Sequence, residues 1–154
     1  MNRLKANILI IDDEPLSIGI LQILLKKAGY ETIYTSTDPE KGIHLYQELY
    51  PDLLLLDLNM PVISGFDVLE KLRQLENRDY LPVMVLSAET DDASRLKALE
   101  LGAHDFLTKP YNDIEVLTRI KNMLEVRMLQ QKLRYQNEVL EERVKQRTQE
   151  LRVS

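Results

Sequence analysis

Four places in this 154-residue chain set ionisable or hydroxyl side chains directly after short apolar runs: Asp12-Asp13-Glu14, Asp57, Ser87 and Lys109. Three carboxylates brought within a few ångströms of one another raise each other's pKa and cannot all stay ionised without compensation. A hard divalent cation supplies it. Magnesium suits the set, because it takes one or two carboxylates together with waters and phosphate oxygens, whereas a zinc site selects His or Cys. Lys109 adds compact positive charge aimed at whatever anion the metal holds, and Ser87 adds a hydroxyl donor. Such a set serves phosphoryl transfer to a carboxylate, giving an aspartyl phosphate while the cation and the lysine neutralise the transferring oxygens. Asp57 is the candidate nucleophile: it alone ends the all-leucine run Leu53-Leu54-Leu55-Leu56, while the Asp12-Asp13 pair suits metal holding.

For those residues to meet, the elements that carry them must end at one edge. Asn7 to Ile11 reads as a doubly buried strand, and Leu16, Ile20, Ile23, Leu24 and Lys27 recur at three and four, marking an amphipathic helix that Gly29 terminates. A strand over Thr32 to Thr35 follows. Thr37-Asp38-Pro39-Glu40 then starts a helix through about Leu49, and Leu53 to Asp57 is the next buried strand. Ser64-Gly65-Phe66-Asp67 fits a capping box with Asp in place of Glu, opening a helix over Val68, Leu69 and Leu72. Leu81 to Leu86 is expected as the fourth strand, with Thr90 capping a helix that stops at Gly102. Ala103 to Leu107 is the fifth strand, and a helical pattern runs from Asp113 almost to Ser154. Strict alternation of strand and helix implies right-handed crossovers and a five-stranded, doubly wound parallel sheet, whose ligands bind beyond the carboxyl ends of the strands. That edge collects Asp12, Asp13, Asp57, Ser87 and Lys109.

Composition excludes several alternatives. At 44% hydrophobic and 29% charged the chain has globular proportions, and with no cysteines it has neither disulfides nor thiolate chemistry. No apolar run approaches the ~18 residues of a membrane span, and the N-terminus lacks the apolar stretch of a signal peptide, so a cytoplasmic location is expected. Residues 1–111 carry 11 Lys and Arg against 18 Asp and Glu; residues 112–154 carry 9 against 7. Neither part has the basic stripe of a nucleic-acid binder, so no direct nucleic-acid contact is expected.

Ile10-Ile11-Asp12-Asp13-Glu14-Pro15, Leu55-Leu56-Asp57-Leu58-Asn59-Met60-Pro61 with Gly65, Val85-Leu86-Ser87-Ala88, and Gly102-Ala103-His104-Asp105-Phe106-Leu107-Thr108-Lys109-Pro110 together resemble the response-regulator receiver domain of two-component signalling. The resemblance covers roughly residues 5–125 and implies the strand order 2-1-3-4-5 of the flavodoxin-like fold. It implies that Asp57 accepts a phosphoryl group from a histidine kinase or phosphotransfer protein. Asp12, Asp13, Asp57 and the backbone carbonyl of Asn59 would hold Mg²⁺, and Lys109 would contact a phosphoryl oxygen. Ser87 would bind the phosphoryl group, Phe106 would rotate into the space vacated, and Lys109-Pro110 would be cis. Asn59 and Glu89 fall at positions that tune dephosphorylation. On this reading the domain assists its own phosphorylation but is a switch rather than an enzyme.

Three rivals stand beside it. A phosphatase of the haloacid-dehalogenase type wants a second acid two residues after the nucleophile, where this chain has Asn59. A flavodoxin-like FMN carrier wants a hydroxyl- and Gly-rich first loop where this chain has Asp12-Asp13. A degenerate receiver acting only as a scaffold would not need the acidic pair, Asp57 and Lys109. His44 and His104 have no carboxylate or His at ligand spacing and read as surface or structural residues.

The last helix outruns a receiver: from Asp113 to about Arg152 it would extend ~60 Å. Residues 1–125 are therefore expected as the receiver and 126–154 as a helical linker. Val126, Gln130, Leu133, Asn137, Leu140, Val144, Arg147 and Leu151 fall on a heptad seam; Asn at an a position with Leu at d fits a parallel two-stranded coiled coil through 126–151. The alternative is a solvated single helix supported by pairs such as Glu141 with Lys145. The stretch from Leu140 to Leu151 resembles linkers that precede cyclic-di-GMP phosphodiesterase, diguanylate cyclase and histidine kinase output domains. A longer regulator is thus expected, with its output domain outside this sequence.

Overall fold

A computed structural model describes residues 2–75, 82–88 and 91–153 of the chain. Its elements are β1 (Asn7–Ile11), α1 (Pro15–Lys27), β2 (Thr32–Ser36), α2 (Pro39–Leu49), β3 (Leu53–Asp57), α3 (Gly65–Leu75), β4 (Val83–Ser87), α4 (Asp92–Glu100), β5 (Asp105–Thr108) and α5 (Asp113–Val153). The five strands form one parallel sheet in the order β2-β1-β3-β4-β5, a doubly wound, flavodoxin-like α/β fold.

Alternate residues of each strand feed the two faces. Ile8, Ile10, Leu53, Leu55, Met84 and Leu86 pack under α1 and α5, while Leu9, Ile11, Leu54, Leu56, Val85 and Phe106 pack under α2, α3 and α4. The four leucines of β3 are fully buried, each contributing roughly 1.5–3 kcal/mol relative to exposure. The central strand is thereby fixed on both sides, and its last residue, Asp57, is fixed with it.

The helix starts follow local chemistry. Asp38 caps α2 by accepting the Glu40 N–H, with Pro39 in the first turn. Both arms of the capping box at α3 are made: Ser64 Oγ accepts the Asp67 N–H, and Asp67 Oδ2 accepts the Ser64 N–H. Gly29 and Gly102 follow α1 and α4 with φ of +100° and +109°, the left-handed conformation that a glycine adopts without a Cβ clash.

Several expected boundaries and faces differ. The core face of α1 is Ile18, Leu21 and Leu25, whereas Leu16, Ile20 and Ile23 are 76, 53 and 59% exposed. This helix is apolar nearly all round, so its sequence supports two phases, and contact with the sheet selects the other one. β4 begins at Val83 and continues through Ser87, which pairs with Thr108. Leu81, Glu89 and Thr90 lie outside the described residues; the cap of α4 is Asp91, whose carboxylate accepts the Ser94 N–H. Ala103 donates its N–H to Ala98 in the turn after α4, so β5 starts two residues later, at Asp105.

Among the described residues no helix is long and apolar enough to cross a membrane. α5 is one unbroken helix of 41 residues, about 60 Å long. Val116, Ile120, Met123 and Leu124 bury its first part, and beyond Met128 nearly every residue is exposed.

Candidate functional site

The sheet topology delivers the strand ends to one edge. Asp12 follows β1, donates its N–H to the Ser36 carbonyl, and accepts the Glu14 N–H on Oδ1 at 3.0 Å, so its carboxylate is held by the turn that opens α1. Asp57, the last residue of β3, is buried, and its Oδ1 accepts from Lys109 Nζ at 3.2 Å. Lys109 Nζ also lies 3.6 Å from Asp12 Oδ2. Asp12, Asp13 and Asp57 each offer a carboxylate oxygen, and these atoms lie within 4.8 Å of one another.

Electrostatics follow from that crowding. Burial raises the Asp57 carboxyl to about 6, the Asp12 charge adds to the rise, and Lys109 opposes it. Asp12 is raised too, by burial above all, against the pull of the Glu14 N–H and Lys109. Burial works against the Lys109 charge, yet Asp57 and Asp12 outweigh it and hold the ammonium above its ordinary pKa. One lysine faces three carboxylates. Asp12 Oδ2 is buried with no hydrogen bond, only the longer 3.6 Å ion pair with Lys109, inside a negatively charged cleft. A hard, oxygen-seeking divalent cation fits this donor set.

Ser87 is fully buried at the end of β4 and donates its hydroxyl to Asn59 Oδ1 at 2.9 Å. Sequence reasoning missed this link; Asn59 was expected to contribute its carbonyl, and no pattern in the chain signals that its side chain meets Ser87. Phe106 is buried on the α4 side of the sheet, with the Arg95 guanidinium 6.0 Å from its ring centroid. It lies in β5 beside Val85 and so is one strand removed from β3. Lys109-Pro110 is cis, and the Lys109 N–H donates to the Ser87 carbonyl at 2.7 Å, tying the β5 end to the β4 end.

Two more residues border the site. Tyr111 follows the cis-proline and is half-buried; burial raises its phenol, and the nearby Lys109 charge opposes the rise. Gly65 opens α3 so close to the end of β3 that a Cβ there would sit 2.6 Å from the Asp57 carbonyl oxygen and from Leu58 Cα. The motif spacing singled out Gly65 without giving this reason. His104 lies away from the cluster: its Nδ1 accepts the Val83 N–H at 3.1 Å, and burial lowers its pKa, both consistent with a neutral structural histidine.

Comparison with known proteins agrees with this geometry. The chain is 38% identical over 117 residues to the DNA-binding dual master transcriptional regulator RpaA of Synechocystis, covering 76% of this chain and 48% of that protein. It is 32% identical over 148 residues to hybrid signal transduction histidine kinase D of Dictyostelium discoideum, covering 94% of this chain and 9% of that one. The solved chemotaxis response regulator CheY4 of Vibrio cholerae superposes with a TM-score of 0.71 at 26% identity, over 77% of this chain and 98% of CheY4. The chain spans about half the length of RpaA and of the similar transcriptional regulators it matches. The family profile described as the response regulator receiver domain matches residues 8–121, and the chain belongs to that family.

Proposed function

We propose that this chain is a phosphorylation switch in which Asp57 takes a phosphoryl group from the phosphohistidine of a histidine kinase or phosphotransfer protein. The observation that carries this reading is the buried Asp57 carboxylate at the end of the central strand, 3.2 Å from Lys109 and crowded by Asp12 and Asp13. A carboxylate oxygen of Asp57 attacks phosphorus as the P–N bond breaks, and the electron pair of that bond leaves with the imidazole of the donor. Lys109 meets the charge on the transferring oxygens. Asp12, Asp13 and Asp57, with the Asn59 carbonyl, would hold Mg²⁺, which would add to the neutralisation of that charge.

Ser87 can donate its hydroxyl to a phosphoryl oxygen only by releasing Asn59 Oδ1. That exchange gives the site two arrangements, and Phe106 rotating toward the vacated space carries the second one to the β5 surface. Leu16 and Ile20, on the outward side of the helix that starts beside Asp12, and Ile114, in the first turn of α5, are exposed apolar residues near the mouth. Such a rim suits a protein donor rather than a small metabolite. The role is information transfer in the cytoplasm, not enzymatic turnover. The tails of two copies pair in parallel through residues 126–151 and pass the change to an output domain such as a cyclic-di-GMP phosphodiesterase, diguanylate cyclase or kinase.

Intact-mass spectrometry after incubation with a small-molecule phosphodonor, with and without Mg²⁺, tests the central claim. One Mg²⁺-dependent, base-labile phosphoryl adduct, absent from Asp57→Asn, is expected. No adduct under any condition points to a scaffold, and phosphodonor turnover without an adduct points to a phosphatase.

A further inference from the structure

The pairing of two tails does not by itself say which side of α5 meets the partner, and the exposed apolar residues do. Val126, 43% exposed at the edge of the receiver body, and Leu129, Leu133, Leu140, Val144 and Leu151, 57–74% exposed on the free part of the helix, form one set. At 3.6 residues per turn all six fall within an arc of about 60° on an undistorted helix. Leu129, Leu140 and Leu151 stand eleven residues apart, as do Leu133 and Val144. A seven-residue period drifts one way around a helix and gives a left-handed supercoil, whereas an eleven-residue period gives a right-handed one. The eleven-residue stripe takes in Leu129 and leaves Gln130 and Asn137 at its margin; the heptad seam does the reverse.

We propose that α5 pairs with α5 of a second copy, parallel and in register, along this eleven-residue seam centred on Leu133 and Leu140. The inference rests on the reading that the tails dimerise, and it specifies the surface. The stripe points about 130° away from the side of α5 formed by Val116, Ile120, Met123 and Leu124, which pack on the sheet, so a second helix can approach without meeting the receiver body. Each exposed apolar side chain presents on the order of 100 Å², so withdrawing six from each copy removes roughly 1,200 Å², the lower bound for a specific stable interface. Self-matching selects the occupant. The apolar positions are unevenly spaced, and in a parallel, in-register pair each meets its own copy at the same height. No reversed alignment matches more than four of the six; those centred on the stripe set the other two against Asn137 and Thr148, or against Asn122 and Arg147.

The chain has no cysteine, so single cysteines report the seam directly. Leu129→Cys, Gln130→Cys, Leu133→Cys, Asn137→Cys, Leu140→Cys and Val144→Cys would each be oxidised with copper-phenanthroline, before and after phosphodonor treatment, and the disulfide-linked dimer measured on non-reducing gels. All six sites are exposed, so the receiver fold is not at risk. Light scattering on the unmodified chain gives the oligomeric state in parallel. Expected are a dimer and a several-fold excess of cross-linking at 129 over 130 and at 140 over 137. A dimer that cross-links best at 130 and 137 keeps the pairing and overturns the eleven-residue register. Cross-linking confined to one position near the middle shows an antiparallel pair, and a monomer in both states overturns the pairing itself.

Discussion

Asp57 is held at a disadvantage in the metal-free fold. Its carboxyl sits at about 6 against an ordinary 3.8, so the folded state binds the proton more tightly than the unfolded chain does. The stabilising effect of that proton is complete below pH 3.8 and lost as pH rises through about 6. At neutral pH the buried negative charge therefore works against folding by up to about 3 kcal/mol. Asp57→Asn is expected to raise the melting temperature of the metal-free protein at neutral pH, with the gain shrinking as pH falls from about 6 to 3.8 and gone below it; thermal melts across pH check it, and an unchanged or lowered midpoint at neutral pH refutes the electrostatic account. Ser87 supplies a second residue-scale prediction. Because its buried hydroxyl already has a partner in Asn59, Ser87→Ala should lower stability by about 1 kcal/mol, leave Asp57 able to take a phosphoryl group, and weaken the spread of the change to Phe106. Chemical denaturation reads the first effect, and amide exchange at β5 with and without phosphodonor reads the last. The carboxylates and Lys109 were legible in the sequence because a parallel sheet must bring the ends of its strands together. The bond between Ser87 and Asn59 was not, since it depends on how two loops approach and which rotamers they select.

Elements obey the same division. The capping box at α3 and the cap at α2 were readable, because each is settled within four residues of chain. The buried face of α1 was not: Leu16, Ile18, Ile20, Leu21, Ile23, Leu24 and Leu25 satisfy either phase, and only packing against β1 and α5 distinguishes them. The exposed set is open to partners. Ile20→Ser is thus expected to change stability by no more than about 0.5 kcal/mol and leave small-molecule phosphorylation intact, while transfer from a cognate phosphohistidine protein slows. Ile18→Ala, by contrast, should lower stability by about 2–5 kcal/mol. Equal losses from the two substitutions in denaturation would show the phase to be wrong. At the start of α3, Gly65→Ala would drive a methyl into the backbone of β3 at Asp57 and Leu58. About 1–3 kcal/mol of destabilisation and a fall in the phosphorylation rate are expected together, because the clash displaces the strand end that carries Asp57, the proposed phosphoacceptor.

Across the whole molecule, the long helix joins a sheet-packed body to an exposed tail, and the join has a definite chemistry. Asp52, at the start of the central strand, accepts the Asn7 N–H on one oxygen and lies 3.6 Å from Arg127 Nε on the other, with both charged side chains largely shielded from water. The body's hold on α5 therefore reaches past residue 125, where the sequence places the end of the receiver, to Arg127 at least. Arg127 also comes just before the apolar stripe begins to run free at Leu129, so the last fixed point and the first free layer are two residues apart. A rotation of α5 at its packed end would then reach the tail with little slack, since one continuous helix separates them. Two truncations separate these roles. A chain ending after Met128 is expected to fold, to accept a phosphoryl group and to be monomeric. One ending after Glu125 should be less stable by roughly 1–3 kcal/mol, because Asp52 keeps its burial and loses its cation. Denaturation midpoints compare the two, and equal stability would mean that the Arg127 contact does not anchor the helix and that the tail is coupled to the body only through the apolar packing above it.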